Sequence, residues 1–316
     1  RLSGVVGQIS GDGLSGRFTG SLINFMHDPR SMWDLSLDVT DLGWLIDYYG
    51  GPGVYQESAQ IQLQVRDSNN KELPFMVQGK LLTSSLTAQL VGELETFDVN
   101  SRFNTEFVLT AEGPYELGQM IGVALPPTGQ LRATGQLLRE TDSQGLIGVS
   151  VNLQSEKLGQ LLAEGVWREQ WNNGSKLDLK FVVDQVSKLS VLPSFSFKGE
   201  TPLQAQATVT TNGKALLLKE LKVTAGRNDL SGEISYLLNE DDGDRQKIKG
   251  RLASKYLNLN DLFPTKEKKY LFGNERIPLN WEHRRDVNLE FSVDHLMRRK
   301  YKVTDLALNV DSLNGM

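Results

Sequence analysis

Apolar and polar residues alternate along most of this chain with the period of two that belongs to half-buried β-strands. The cleanest run is Ala59-Gln-Ile61-Gln-Leu63-Gln-Val65, which puts every apolar residue on one face and every glutamine on the other. Similar alternation predicts strands over 34–39, 71–82, 86–95, 105–111, 130–138, 146–153 and 161–168. It resumes over 177–183, 202–209, 215–224, 231–236, 248–254, 287–293 and 303–310. Polar clusters separate these runs: Asp67-Ser-Asn-Asn70 and Gly226-Arg-Asn-Asp229 read as turns, and Pro126-Pro127 as a proline turn. Helical spacing is confined to short pieces. The best is 41–49, where Asp41 can cap, Leu42, Leu45 and Ile46 share a face, and Gly50-Gly-Pro-Gly53 stops the helix. A second helical or looped piece is expected at 115–121.

The alternation is itself repeated. A glycine inside a strand recurs at Gly20, Gly92, Gly165 and Gly232, at steps of 72, 73 and 67 residues, and another alternating strand follows each one. The first two copies agree further: Leu14 and Leu86 precede the glycine by six residues, and Leu22 and Leu94 follow it by two. Phe25 and Phe97 follow by five. We therefore expect one elongated β-repeat domain over 1–316, with approximate repeats 1–33, 34–104, 105–176, 177–247 and 248–316. A charged stretch between Phe263 and Asp286 interrupts the last of these, so the regular stack is expected to bulge or carry a loop there.

Composition narrows the function classes. The net charge of −5 gives no basic surface for nucleic acid. No cysteine is present, so disulfides and thiolate metal sites are excluded, and an oxidising compartment such as a periplasm fits. No apolar run of about 18 residues occurs, so any membrane anchor is expected outside this segment, in a longer chain. Catalytic patterns are also missing. His27, His283 and His295 form no pair at metal-binding spacing, and the acidic turn 239–244 has no glutamate where a calcium loop needs one. The glycines lack the strand-to-helix context of a nucleotide loop, and no G-x-S-x-G elbow exists. We expect no catalytic residue, no metal, no cofactor and no enzyme.

What remains is a surface. Ala59, Ile61, Leu63 and Val65 are candidates for one apolar stripe with Leu131, Ala133 and Leu137. Leu203, Ala205, Ala207 and Val209, then Leu289, Phe291 and Val293, would extend it. Such residues could equally form a closed core between two sheets. Two features favour an open trough: long helices that could cover the sheet are missing, and the inward side chains are mostly small or aliphatic. Each methylene of an acyl chain buried there is worth about 0.8 kcal/mol.

The phrase Leu230-Ser-Gly232-Glu-Ile234, a charged turn, then Gly250-Arg-Leu252-Ala-Ser254-Lys-Tyr-Leu257-Asn-Leu259-Asn-Asp-Leu262 resembles the AsmA-like family of Gram-negative envelope proteins. Leu125-Pro-Pro-Thr-Gly-Gln-Leu131 and Ile277-Pro-Leu279 are similar to the same family's recurring phrase. The resemblance implies an all-β repeat array of antiparallel strands in a curved, twisted, groove-like sheet with few short helices. It also implies a periplasmic location anchored to the inner membrane, and a bridge-like role in phospholipid transfer to the outer membrane. Alternatives are a TamB-like assembly factor that works on outer-membrane or periplasmic proteins by β-augmentation and, more weakly, an envelope polysaccharide hydrolase.

Overall fold

A computed structural model describes residues 2–11, 13–23, 30–43, 57–98, 101–113, 118, 128–140, 145–168, 174–191, 197, 199–212, 214–237, 246–263 and 285–312. Most of the predicted helix 41–49, the piece 115–121, the acidic turn 239–244 and the charged stretch after Phe263 lie outside them. The chain divides into two compact units, residues 1–157 and 158–316. Both are β-sheet, mostly antiparallel, with very few short helices.

The first unit holds β1 (Leu2–Gly11), β2 (Leu14–Ile23), β3 (Arg30–Val39), β4 (Ala59–Asp67), β5 (Phe75–Leu82), β6 (Leu86–Leu94), β7 (Phe103–Ala111), β8 (Leu131–Arg139) and β9 (Leu146–Ser155). Each strand pairs antiparallel with the next in the chain, so the sheet is an open meander. Its register is regular from β2 onward, which lets sequence alternation alone decide which face each side chain takes. Buried apolar clusters close one end of the strands: Val39, Leu42 and Ala59 in one, Leu86, Ala111 and Leu131 in another. Leu42 lies just after Asp41, whose carboxylate accepts the Gly43 N–H at 2.8 Å, the bond expected of a cap.

The second unit holds β10 (Gly159–Arg168), β11 (Lys176–Val183), β12 (Leu203–Thr211), β13 (Ala215–Ala225), β14 (Asn228–Leu237), β15 (Gln246–Asn258), β16 (Arg285–Arg298) and β17 (Tyr301–Ser312). A 3-10 helix at Val186–Val191, unpredicted from sequence, buries Val186 and Leu189 against Val183. Pairing is antiparallel throughout except between β15 and β16, which run parallel. Parallel neighbours need a crossover connection, and the 26 residues between Asn258 and Arg285 supply its length.

Side chains finish the long strand β15 where β14 stops. The turn after β13 is only Gly226-Arg227, with Gly226 at φ 61°, so Asn228 and Asp229 belong to β14 rather than to the turn. Asp229 accepts the N–H groups of Lys255 and Tyr256 at 3.1 and 2.8 Å, and Asn228 accepts that of Asn258 at 2.5 Å. Donors that would otherwise lack a strand partner are thus satisfied. Asn258 then caps the one-turn helix α1 (Leu259–Leu262) by accepting the Asn260 N–H at 3.1 Å.

The repeat read from glycine spacing has a geometric counterpart. Gly20, Gly92, Gly165 and Gly232 lie on β2, β6, β10 and β14, every fourth strand, and stand opposite Trp33, Thr105, Leu177 and Leu252. A Cβ added to any of them would point at the carbonyl oxygen of the residue before that partner. The separations would be 2.7 Å from Met32, 2.7 Å from Asn104, 2.1 Å from Lys176 and 2.0 Å from Arg251. Close backbone approach requires glycine at Gly165 and Gly232, while at Gly20 and Gly92 the Trp33 ring at 2.2 Å and the Thr105 hydroxyl at 2.5 Å come nearer still.

Candidate functional site

Strand register decides whether the candidate residues share a face. In the first unit Ile61 pairs with Leu81, Leu81 with Ala88, Ala88 with Leu109 and Leu109 with Ala133, so one cross-strand row joins β4 to β8. A second row runs Val65, Val77, Gly92, Thr105 and Leu137. Leu63 stands between these rows and Ala59 beyond them on β4; Leu131 lies at the matching end of β8. All seven first-unit candidates therefore lie on one face. Gln60, Gln62 and Gln64 are exposed on the other.

The second unit reaches the same result by a less regular path. One row runs Leu161, Phe181, Ala205, Val223 and Leu230, then Ser254, Val293 and Leu306. Its neighbour on β12 passes through Val209, Leu218, Ile234, Gly250 and Leu289 to Val310. Between these lie Ala207 on β12 and Phe291 on β16, and Leu203 pairs with Val183 and Ala225. Seven of seven second-unit candidates again share a face, while Gln204 and Gln206 are exposed on the opposite one.

Keeping that face apolar takes a β-bulge. The register of β13 against β12 and β14 shifts by one residue near Glu220, which has φ 52°. The extra residue lets Leu216 and Leu218 on one side of it, and Leu221, Val223 and Ala225 on the other, all turn the same way.

Burial across the face has a pattern of its own. On β4, Ala59 and Val65 are 3% and 5% exposed while Ile61 and Leu63 between them are half-buried. β7 repeats this with Thr105 and Ala111 buried around Phe107 and Leu109, and β16 with Val287 and Val293 buried around Leu289 and Phe291. Six residues along a strand measure about 20 Å and the two central rows lie about 7 Å apart. On these three strands an accessible apolar centre thus lies between buried margins. On β8 one margin is formed by Leu131 and Ala133 and the other by Arg139, a buried cation whose guanidinium carbon lies 5.4 Å from the Phe103 ring centroid. Sequence reading missed Arg139, although the apolar residues before it in β8 mark its place on the face.

Depressions on the opposite face have mixed charged, polar and apolar walls. One of about 340 Å³ is walled by Glu164, Asp178, Lys180 and Glu220, and one of about 420 Å³ by Gln89, Glu106, Gln136 and Asn152. An exposed ion pair on that face joins Arg251 to Glu290 at 2.9 Å, and their hydrogen bond raises the Arg251 pKa. Hydrogen bonds from Ser68 and Asn70 hold Glu93 below the usual carboxylate range. Among the described residues no three His, Asp or Glu side chains are grouped to hold a metal ion, and no helix is long and apolar enough to cross a membrane. His295 is exposed; His27 and His283 lie outside the described residues. No family model, curated protein or solved structure matches this chain.

Proposed function

We propose that this chain carries the acyl chains of phospholipids on its apolar face, as a periplasmic bridge-like transfer protein of the AsmA-like type. The observation behind this reading is the half-buried apolar centre flanked by buried margins, found on strands of both units on the face that holds that unit's candidate residues. Tails lie over rows such as Ile61–Leu81–Ala88–Leu109 while headgroups stay in water, and no covalent step is involved. Sequence resemblance supports the envelope setting and an inner-membrane anchor outside this segment. Native mass spectrometry of the purified chain, with extraction of what it carries, tests the reading. Diacyl lipid is the expected ligand; a protein that stays lipid-free when offered phospholipid vesicles contradicts it.

A TamB-like role in assembling outer-membrane proteins has one observation in its favour. β17 is an edge strand among the described residues, and its Leu308 and Val310 are 47% and 45% exposed. Such an edge can accept a further strand. Capture of outer-membrane proteins rather than lipid at the apolar face would favour this role.

A further inference from the structure

The tip of the β16–β17 hairpin gathers charge that neither face of the sheet explains. Arg298, Arg299, Lys300 and Lys302 place four cations within five residues, and Tyr301 and Val303 beside them are each 43% exposed. Among the described residues acids are sparse here: Asp261 sits on α1, and Asp294 and Asp305 lie farther down the strands. The ammonium of Lys300 lies 5.7 Å from the Tyr301 ring centroid.

Arg299 also occupies a position that chemistry would give to another residue. It sits in the two-residue turn at φ 53°, a left-handed conformation that favours glycine or asparagine in a tight hairpin. Asn260 holds it there, accepting the Arg299 N–H at 2.6 Å and donating its side-chain amide to the Arg299 carbonyl at 3.3 Å. The Arg298 guanidinium donates to the Leu259 carbonyl at 3.2 Å and ties the tip to α1 a second time. An arginine is therefore kept, with support from a neighbouring element, where glycine would be easier to accommodate. An observed outlier of this kind points toward function.

We propose that this tip docks on an anionic lipid surface, its cations at the phosphates and Tyr301 and Val303 at the interface, where tyrosine is favoured. The rest of the chain does not share this attraction. A net charge of −5 repels it from such a surface, so the contact is made tip first. This docking does not depend on what the apolar face carries.

Co-sedimentation of the 316-residue chain tests the proposal, using vesicles of phosphatidylcholine alone and of phosphatidylcholine mixed with phosphatidylglycerol. Binding should require phosphatidylglycerol and fall at high salt. The double variant Lys300→Gln, Lys302→Gln should bind roughly thirtyfold more weakly, at about fivefold per cation lost. Arg299→Gly should weaken binding by about fivefold without lowering the melting temperature, because glycine suits the turn; a purely structural arginine would lower it. Binding unchanged in both variants, equal binding to neutral vesicles, or no binding to either composition overturns the proposal. Lipid carriage is read separately by mass spectrometry, and these variants should leave it intact.

Discussion

The two units solve one problem in different ways. Residues 30–155 of the first keep a regular antiparallel register through every pair from β3 to β9, so period-two alternation is enough to keep one face apolar. The second unit breaks regularity twice, with the bulge at Glu220 and the parallel pair β15–β16, and its candidate residues still share a face. Hydrogen-bond pattern differs between the units while face parity does not. We take this to mean that an apolar face within each unit, rather than any single pairing pattern, is what the chain is built to present.

Deleting Glu220 should have the largest effect. Without the extra residue, either Leu216 and Leu218 or Leu221 and Val223 turn to the polar face, each losing up to about 1.5–3 kcal/mol of burial. Urea unfolding followed by circular dichroism should show the second unit's transition lost and the first unit's retained. Glu220→Gly keeps the bulge and relieves the positive φ, so it should unfold near the wild-type midpoint. A deletion variant as stable as the wild type would contradict the parity argument.

The repeat glycines sharpen the comparison. Gly232→Ala and Gly165→Ala bring a Cβ to 2.0 and 2.1 Å from a carbonyl oxygen at φ 152° and 148°, so each should cost about 2–4 kcal/mol. Gly92→Ala meets its carbonyl at 2.7 Å without a positive φ and should cost less. Gly79→Ala, whose nearest atoms lie 3.8 Å away, should cost under about 1 kcal/mol. Equal losses at Gly232 and Gly79 would show that close approach does not set the cost.

Charges placed on the apolar face test whether its centre is open. Ala207 lies in the half-buried centre and Ala133 in a buried margin. Ala207→Asp keeps contact with water and should lose at most about 1.5 kcal/mol, whereas Ala133→Arg buries part of a cation and should lose more. The reverse order would point to a face covered at its centre.

The smallest effect belongs to Glu93. Its carboxylate is held ionised by Ser68 and Asn70, so its folded pKa lies below its unfolded one. This contribution to stability is full above the ordinary carboxylate range and is lost as pH falls through the folded pKa. Glu93→Gln should slightly flatten the acid side of a stability–pH curve; an unchanged curve would remove Glu93 from the account.

Strands and faces were legible in the sequence because alternation is a local signal. The run from Ala59 to Val65 needs no partner to show which side is apolar, and the register puts the seven candidates of each unit on one face of that unit. Features that depend on a neighbouring strand were not legible. In Leu216-Leu-Leu-Lys-Glu220-Leu-Lys-Val223 the alternation fits two phases, and the choice is made by β12 and β14. The parallel partnership of β15 and β16 joins segments 26 residues apart, beyond the reach of any local pattern. Asn228 and Asp229 looked like turn residues because their chemistry suits turns, yet they serve the overhang of β15. The 3-10 helix at Val186–Val191 is too short for periodicity to reveal.

Photo-crosslinking at adjacent residues on opposite faces tests the central claim most directly. Crosslinkers at Leu63, Ala205 and Phe291 should capture phospholipid in cells, while those at the neighbouring Gln62 and Gln204 should not. Equal capture on both faces, or capture of protein alone at Leu63, Ala205 and Phe291, would contradict it.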